Sequence, residues 1–229
     1  SPPPLRGISS MATRLLLAEL ADTWQRGGGV PVAIESVGGV DAARRVQAGE
    51  AFDVVFLAAE AIERLVASGQ VAVGSRVDIA RSGVAVAVRA GAPVPDIGSE
   101  AAVRRAVEEA PSIAYSTGPS GVALQRLFER WGLADAVRSR TVQAPPGVPV
   151  GSLVARGEAA LGFQQWSELM HLEGIIVLGP LPPAIQIDTV FSGAPLASSP
   201  RAAEVRALLA HMAAPAAAGA KQRQGMAPV

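Results

Sequence analysis

The sequence contains no cysteine, so disulfide bonds and thiolate metal sites are excluded. Its only two histidines, His171 and His211, lie far apart and leave little material for a histidine metal site or a Ser-His-Asp triad. The 20 basic and 20 acidic side chains cancel, and no basic cluster with interleaved aromatic residues occurs, which argues against nucleic acid as a partner. No apolar run is long enough to span a bilayer. We therefore expect no metal, no cofactor and no membrane insertion.

The chain begins with Ser1 rather than Met, and three prolines follow without an apolar leader. This beginning fits an exported protein whose signal peptide has been removed, although a chain cut there for another reason would look the same. A periplasmic location is therefore a hypothesis at this point.

Short apolar runs alternate with helical stretches along most of the 229 residues, which predicts an α/β protein with mainly parallel sheets flanked by helices. Two long extended segments, near residues 82 and 188, predict two hinge crossings between two lobes. We expect residues 1–81 and 188–229 to form lobe one and residues 82–187 to form lobe two. We also expect a strand at Arg140–Gln143 and a frayed tail after Pro215.

The most informative stretch spans residues 112–121, where a short apolar run ends in hydroxyls and glycines. Leu124, Leu127 and Phe128 follow at helical spacing, so the stretch is predicted to be strand, tight loop and helix. Because helix N-termini expose unpaired N–H groups, such a loop can bind an anion. Serines at this position can equally cap their own helix, and that alternative stays open.

Four strand-to-helix turns share this chemistry, two in each expected lobe. Ligands of such sheets lie at the carboxyl ends of the strands, so we predict that the turns bind one small anion in a cleft between the lobes. The predicted binding residues are Ser9 and Ser10; Ser36, Gly38 and Gly39; Tyr115, Ser116, Thr117 and Ser120; and Gly147 and Val148, which follow Pro145 and Pro146.

The order of elements resembles the type II periplasmic solute-binding proteins, and most nearly their molybdate-binding branch. The resemblance spans most of the chain and is clearest at Ala43–Val55 (ARRVQAGEAFDVV) and Arg156–Phe163 (RGEAALGF). It implies the two-lobed α/β fold of that family. It also implies an exported, monomeric receptor that closes on a small anion and passes it to the membrane component of an ABC transporter.

The resemblance implies a ligand that differs from molybdate. The family's first serine is matched by Ser9 or Ser10, but Gly39 stands where a second serine is expected, and Gln165 replaces a tyrosine. The lost hydroxyl, together with the amides of Gln164 and Gln165, favours a larger ligand with planar carboxylates. A di- or tricarboxylate is therefore the expected ligand.

Aconitate isomerase, an enzyme that resembles the same branch, provides the alternative to a receptor. Interconverting cis- and trans-aconitate requires a group that removes a proton beside a carboxylate and returns it elsewhere. The candidate proton carriers are Glu35, Asp41, Tyr115 and Glu168. A third possibility, a ligand-sensing domain of a regulator, is disfavoured because no helix-turn-helix pattern is found.

These candidates have structural alternatives. Asp41 can cap a helix, Glu168 can complement a helix dipole, and Tyr115 can simply pack at a strand end. Arg81 could bind a ligand carboxylate bidentately or form a salt bridge at the crossing.

Overall fold

The computed structural model of the chain describes residues 2–145 and 147–229. It contains strands and helices in alternation for most of its length. The strands are β1 (Leu5–Ser10), β2 (Val32–Val37), β3 (Val54–Ala58), β4 (Val77–Arg89), β5 (Ile113–Tyr115), β6 (Leu161–Gln165), β7 (Ile175–Pro180), β8 (Asp188–Pro195) and β9 (Met226–Ala227). The helices are α1 (Arg14–Arg26), α2 (Gly39–Gln47), α3 (Ala59–Ala67), α4 (Glu100–Glu109), α5 (Pro119–Arg130), α6 (Ala134–Arg138), α7 (Val150–Ala155), α8 (Trp166–Leu169), α9 (Ala202–Ala213) and α10 (Ala218–Arg223).

The chain divides into two compact units, Ser1–Ser82 with Val190–Val229 and Gly83–Thr189. The sequence predicted the changes of lobe after residues 81 and 187, and the chain passes from one unit to the other after residues 82 and 189. Both changes fall within the long strands β4 and β8.

In the first unit, β1 pairs in parallel with β2 on one side and β3 on the other, and β8 pairs antiparallel with β3. All five residues of β3 are buried, as expected for a strand covered on both faces. Helix α1 packs Leu16, Leu17 and Leu20 into the core because these residues recur on one face of the helix. Because β1 and β2 are parallel and pair along their whole length, their carboxyl ends lie side by side.

In the second unit, β5 pairs in parallel with β6, whereas β4 pairs antiparallel with both β6 and β7. The sheets are thus mixed, and the expectation of mainly parallel sheets holds only for β2-β1-β3 and β5-β6. The antiparallel partners β4 and β8 are the strands that pass between units.

Two local expectations were wrong. No strand forms at Arg140–Gln143, where only Thr141 bridges to Ile113. The Arg140 side chain instead donates to the carbonyls of Val107 and Ala110 at the end of α4.

The tail after Pro215 is ordered, because α10 buries Ala220 and β9 pairs with β4. Arg223 of α10 also forms an ion pair with Glu19 of α1, with an N–O distance of 2.8 Å. None of the described helices has the length and apolar character that crossing a membrane requires.

Candidate functional site

The first and second predicted turns meet through a pair of serines. Because β1 and β2 are parallel with Ser9 opposite Ser36, both turns end at the same edge of the sheet. The two hydroxyl oxygens are 2.7 Å apart, within hydrogen-bond distance, and Ser9 Oγ also lies 3.0 Å from the Ser10 carbonyl oxygen. Ser9 and Ser36 are thus bonded to each other.

Ser10 and Thr13 keep hydroxyls without a protein partner. Ser10 is 8% exposed and Thr13 2% exposed, and neither Oγ atom has a hydrogen bond within the described part of the chain. Ser10 precedes a 3₁₀ turn at Met11–Thr13 but does not cap it. An unpaired buried hydroxyl costs free energy, so two neighbouring ones indicate that a polar partner is expected there.

Gly38 and Gly39 open helix α2 without a side-chain cap. A Cβ atom added at Gly39 would lie 3.7 Å from the Ser10 Cβ atom, at ordinary contact distance. A side chain at position 39 would therefore begin in contact with Ser10, which the glycine avoids.

The third predicted turn lies between β5 and α5 in the second unit. Ser116 Oγ and Ser120 Oγ are 3.1 Å apart, and Gly118 begins α5 without a side-chain cap. A Cβ atom at Gly121 would stand 1.6 Å from the Ser116 carbonyl oxygen, so only glycine permits this tight turn. Thr117 is exposed beside it.

Capping serines do occur in this protein, but not at these turns. At the start of α4, Ser99 Oγ accepts a hydrogen bond from the Ala102 amide at 3.1 Å. Ser10, Gly118 and Gln165 precede helical turns without such a bond. At these three turns the capping alternative is therefore not what the structure shows.

The end of β6 presents two buried glutamines, Gln164 and Gln165, which are 5% and 4% exposed. Gln165 Nε2 donates to Thr189 Oγ1 at 3.2 Å. The Oε1 atoms of both amides have no partner among the described residues. A half-turn of the Gln165 amide would let Thr189 donate to Oε1 and would free the NH₂ group, so this amide can offer a ligand either an acceptor or a donor.

Glu168 follows in α8 and is half-buried. Burial raises the pKa of its carboxyl to about 7, and a hydrogen bond from the Gln164 side chain partly opposes the increase. This carboxyl can therefore both accept and release a proton near neutral pH, which suits general acid–base chemistry.

The other two candidate carboxylates have fixed partners. Glu35 forms two hydrogen bonds with Arg45, at 2.6 and 3.0 Å, which hold its pKa below the usual value. Asp41 pairs with Arg44 at 2.6 Å and is not a helix cap. The lowered pKa makes Glu35 a poor proton acceptor at neutral pH, and the ion pair with Arg44 occupies the Asp41 carboxylate, so the structure favours Glu168 over both.

Tyr115 and Arg81 were also predicted to bind the ligand. Tyr115 packs edge-on against Phe128, with ring centroids 5.9 Å apart. Arg81 is exposed and donates to the Pro228 carbonyl oxygen at 3.4 Å. It forms no salt bridge with any described residue, and its contact with a ligand carboxylate stays a prediction.

In the fourth turn, Gly147 has a φ of +77°, and the Val148 amide donates to the Pro145 carbonyl oxygen at 3.0 Å. The contribution predicted for Pro146 lies outside the described residues.

Thr13 was missed by the sequence reasoning. It lies three residues after Ser10, on the first turn that follows β1. This spacing from Ser10 could have indicated it as a further binding residue.

Known proteins match the chain over nearly its whole length. A family model described as bacterial extracellular solute-binding protein matches residues 5–227. The chain belongs to this family. An aconitate isomerase from a Pseudomonas species is 42% identical over 228 residues, which cover 97% of this chain and 87% of the relative.

Two solved structures share the fold. The periplasmic molybdate-binding protein of Azotobacter vinelandii has a TM-score of 0.79 and 24% identity, with 98% of this chain and 99% of that chain covered. The sulfate-binding protein of Mycobacterium tuberculosis has a TM-score of 0.78 and 16% identity, with 99% and 87% covered. The predicted family, type II periplasmic binding proteins of the molybdate-binding-like branch, and its two-lobed α/β fold are confirmed.

Proposed function

We propose that the protein interconverts cis- and trans-aconitate, with Glu168 as the group that carries the proton. The observation that carries the proposal is the Glu168 carboxyl, whose pKa of about 7 suits a group that must both take and return a proton. The 42% identity to an aconitate isomerase supports the same reaction for this chain.

The proposed step is an allylic proton shift. Aconitate carries a methylene group between a carboxylate and a doubly bonded carbon. Ionised Glu168 takes one methylene proton, the double bond moves by one carbon, and the former vinyl carbon receives the proton back. The product is again aconitate. Whether it is the cis or the trans isomer depends on the conformation about the carbon–carbon bond that becomes the new double bond.

Negative charge spreads over the carboxylates of the substrate during this shift, and positioned donors lower the barrier by stabilising it. Ser10 and Thr13 have buried hydroxyls without a partner among the described residues, and a half-turn of the Gln165 amide would free its NH₂ group, so we assign these three side chains to the substrate as donors. Gln164, which donates to Glu168, is assigned to the lining. The other residues of the predicted turns remain in the proposal as its lining: Ser9, Ser36, Gly38, Gly39, Tyr115, Ser116, Thr117, Ser120, Gly147 and Val148.

Membership in the solute-binding family favours a second function, that of a receptor. In this form the protein is a periplasmic monomer that binds a small di- or tricarboxylate and delivers it to an ABC transporter. The same polar turns would bind the ligand, and Glu168 would have no chemical role.

Incubation of the purified protein with cis-aconitate, followed by chromatographic separation of the isomers, distinguishes the two functions. The isomerase produces the trans isomer, and Glu168→Gln loses the activity. Glu173→Gln, the same substitution at an exposed carboxylate of the same unit, keeps it. Tight binding of cis-aconitate or molybdate by calorimetry without any conversion would leave only the receptor.

A further inference from the structure

A groove of about 370 Å³ lies between α1 and β2 in the first unit. Apolar side chains such as Leu17 and Ile34 form its walls, and its polar groups are Arg14, Asp22, Gln25 and Ser36. This volume is within the range of small-molecule sites, which typically combine apolar walls with a few polar groups.

Arg14 is the free cation of this groove. Its side chain makes no ion pair or hydrogen bond with any residue that the structure describes, and it is exposed. The Asp22 carboxylate, by contrast, pairs with Arg26 at 3.1 Å. Gln25 Oε1 accepts a hydrogen bond from the Val32 amide at 2.8 Å, which leaves its NH₂ group as a further donor. The groove is therefore suited to an anionic group.

The groove adjoins the serines at the ends of β1 and β2. Ser36 lines it and is hydrogen-bonded to Ser9, the neighbour of the unpartnered Ser10. Arg14 begins α1 just after β1, and Ser36 lies opposite Ser9 near the end of β2, so both are at the carboxyl edge of the sheet, where Ser10 also lies. A ligand bound at this edge that has a second charged arm can extend it to Arg14, whereas a compact tetrahedral oxyanion has no such arm.

We infer that Arg14, beside Ser36, forms a carboxylate subsite that selects a ligand with several carboxylates over a single inorganic oxyanion. The guanidinium binds the arm through two parallel N–H···O bonds. Ser36, whose hydroxyl is bonded to Ser9, only lines the subsite. This inference rests on the proposed substrate.

Calorimetric titration of the full chain with trans-aconitate tests the subsite. Arg14→Gln is expected to weaken binding by about tenfold or more, as the loss of a charge-assisted hydrogen bond predicts. Arg14→Lys keeps the charge but loses the planar fork, so its affinity is expected to lie between those of the wild type and Arg14→Gln. Arg206→Gln, which removes another exposed arginine of the same unit, is expected to bind as the wild type does.

The outcomes separate this inference from the proposed function. If the wild type binds trans-aconitate and Arg14→Gln binds it equally well, the subsite is wrong and the proposed substrate stands. An equal loss in Arg14→Gln and Arg206→Gln would also overturn the subsite, since net charge alone would explain it. If the wild type does not bind trans-aconitate at all, the proposed substrate and the subsite both fall.

Discussion

The starts of two helical segments use the same residue type differently. Before α4, Ser99 accepts a hydrogen bond from the Ala102 amide and thereby stabilises its own helix. After β1, Ser10 occupies the equivalent position, yet its hydroxyl is buried without a partner in the part of the chain that the structure describes. A polar group that the fold buries but does not use indicates a role other than stability.

The carboxylates show the same difference. Glu35 is bound by Arg45, which lowers its pKa, whereas Glu168 is half-buried beside Gln164 and its pKa is raised. The Glu35 carboxylate belongs to a surface ion pair, whereas the Glu168 carboxyl can exchange a proton near neutral pH. Substituting each of them separately tests this comparison.

The largest effect is expected for the carboxylates. Glu168→Gln should reduce the rate of cis-to-trans conversion by about 100-fold or more, the usual contribution of a general base. Glu35→Gln should leave the rate within about twofold, because it removes only an exposed ion pair. Initial rates by chromatography measure both. Equal losses in the two variants would break the comparison.

The serines should separate binding from stability. Ser10→Ala is expected to weaken aconitate binding by about 1–3 kcal/mol, because a buried charged acceptor loses a donor. Ser99→Ala should leave binding unchanged and lower the free energy of unfolding by about 1 kcal/mol. Calorimetry and urea unfolding on both variants give the result, and a reversed pattern would refute the assignment. Ser116→Ala is expected to follow Ser10→Ala.

Glu168 should also make stability depend on pH. The unfolded carboxyl titrates near 4.5 and the folded one near 7, so its contribution to folding becomes less favourable as pH rises between these values. Glu168→Gln should therefore be more stable than the wild type by about 1–3 kcal/mol at pH 8 and equally stable at pH 4. Urea unfolding at both pH values measures this. A stability difference that does not change with pH would show that the carboxyl is not perturbed.

The smallest effect concerns Gln164. Its hydrogen bond opposes the rise in the Glu168 pKa, so Gln164→Met should raise that pKa further. An NMR titration of carbon-labelled glutamate carboxyls, with Glu168→Gln to assign the signal, detects the change. A lowered pKa would mean that Gln164 does not donate to this carboxyl.

Much of the fold could be predicted from the sequence because it follows local patterns. Apolar runs and helical spacing located β3 and α1 near their observed positions. The ordered tail was not predictable in this way, since α10 has no stripe of large apolar side chains and depends on contacts with α1, which is distant in sequence. Arg140 likewise bonds to carbonyls of α4, which no local pattern indicates.

The candidate site was predicted in part. Sequence pattern located the serine turns, and family resemblance indicated Gln164 and Gln165. The partners of Glu35 and Asp41 could not be predicted, because ion pairing depends on which side chains the fold brings together. The burial of Glu168 is also a tertiary property, so four candidate proton carriers could not be reduced to one before the structure was known.

The pH dependence of kcat/KM for trans-aconitate tests the central claim most directly. If Glu168 is the base in the free protein, the rate should rise with pH through an ionisation near 7. An inflection near 4.5, the usual value for a carboxyl, or no turnover at any pH, would contradict the account.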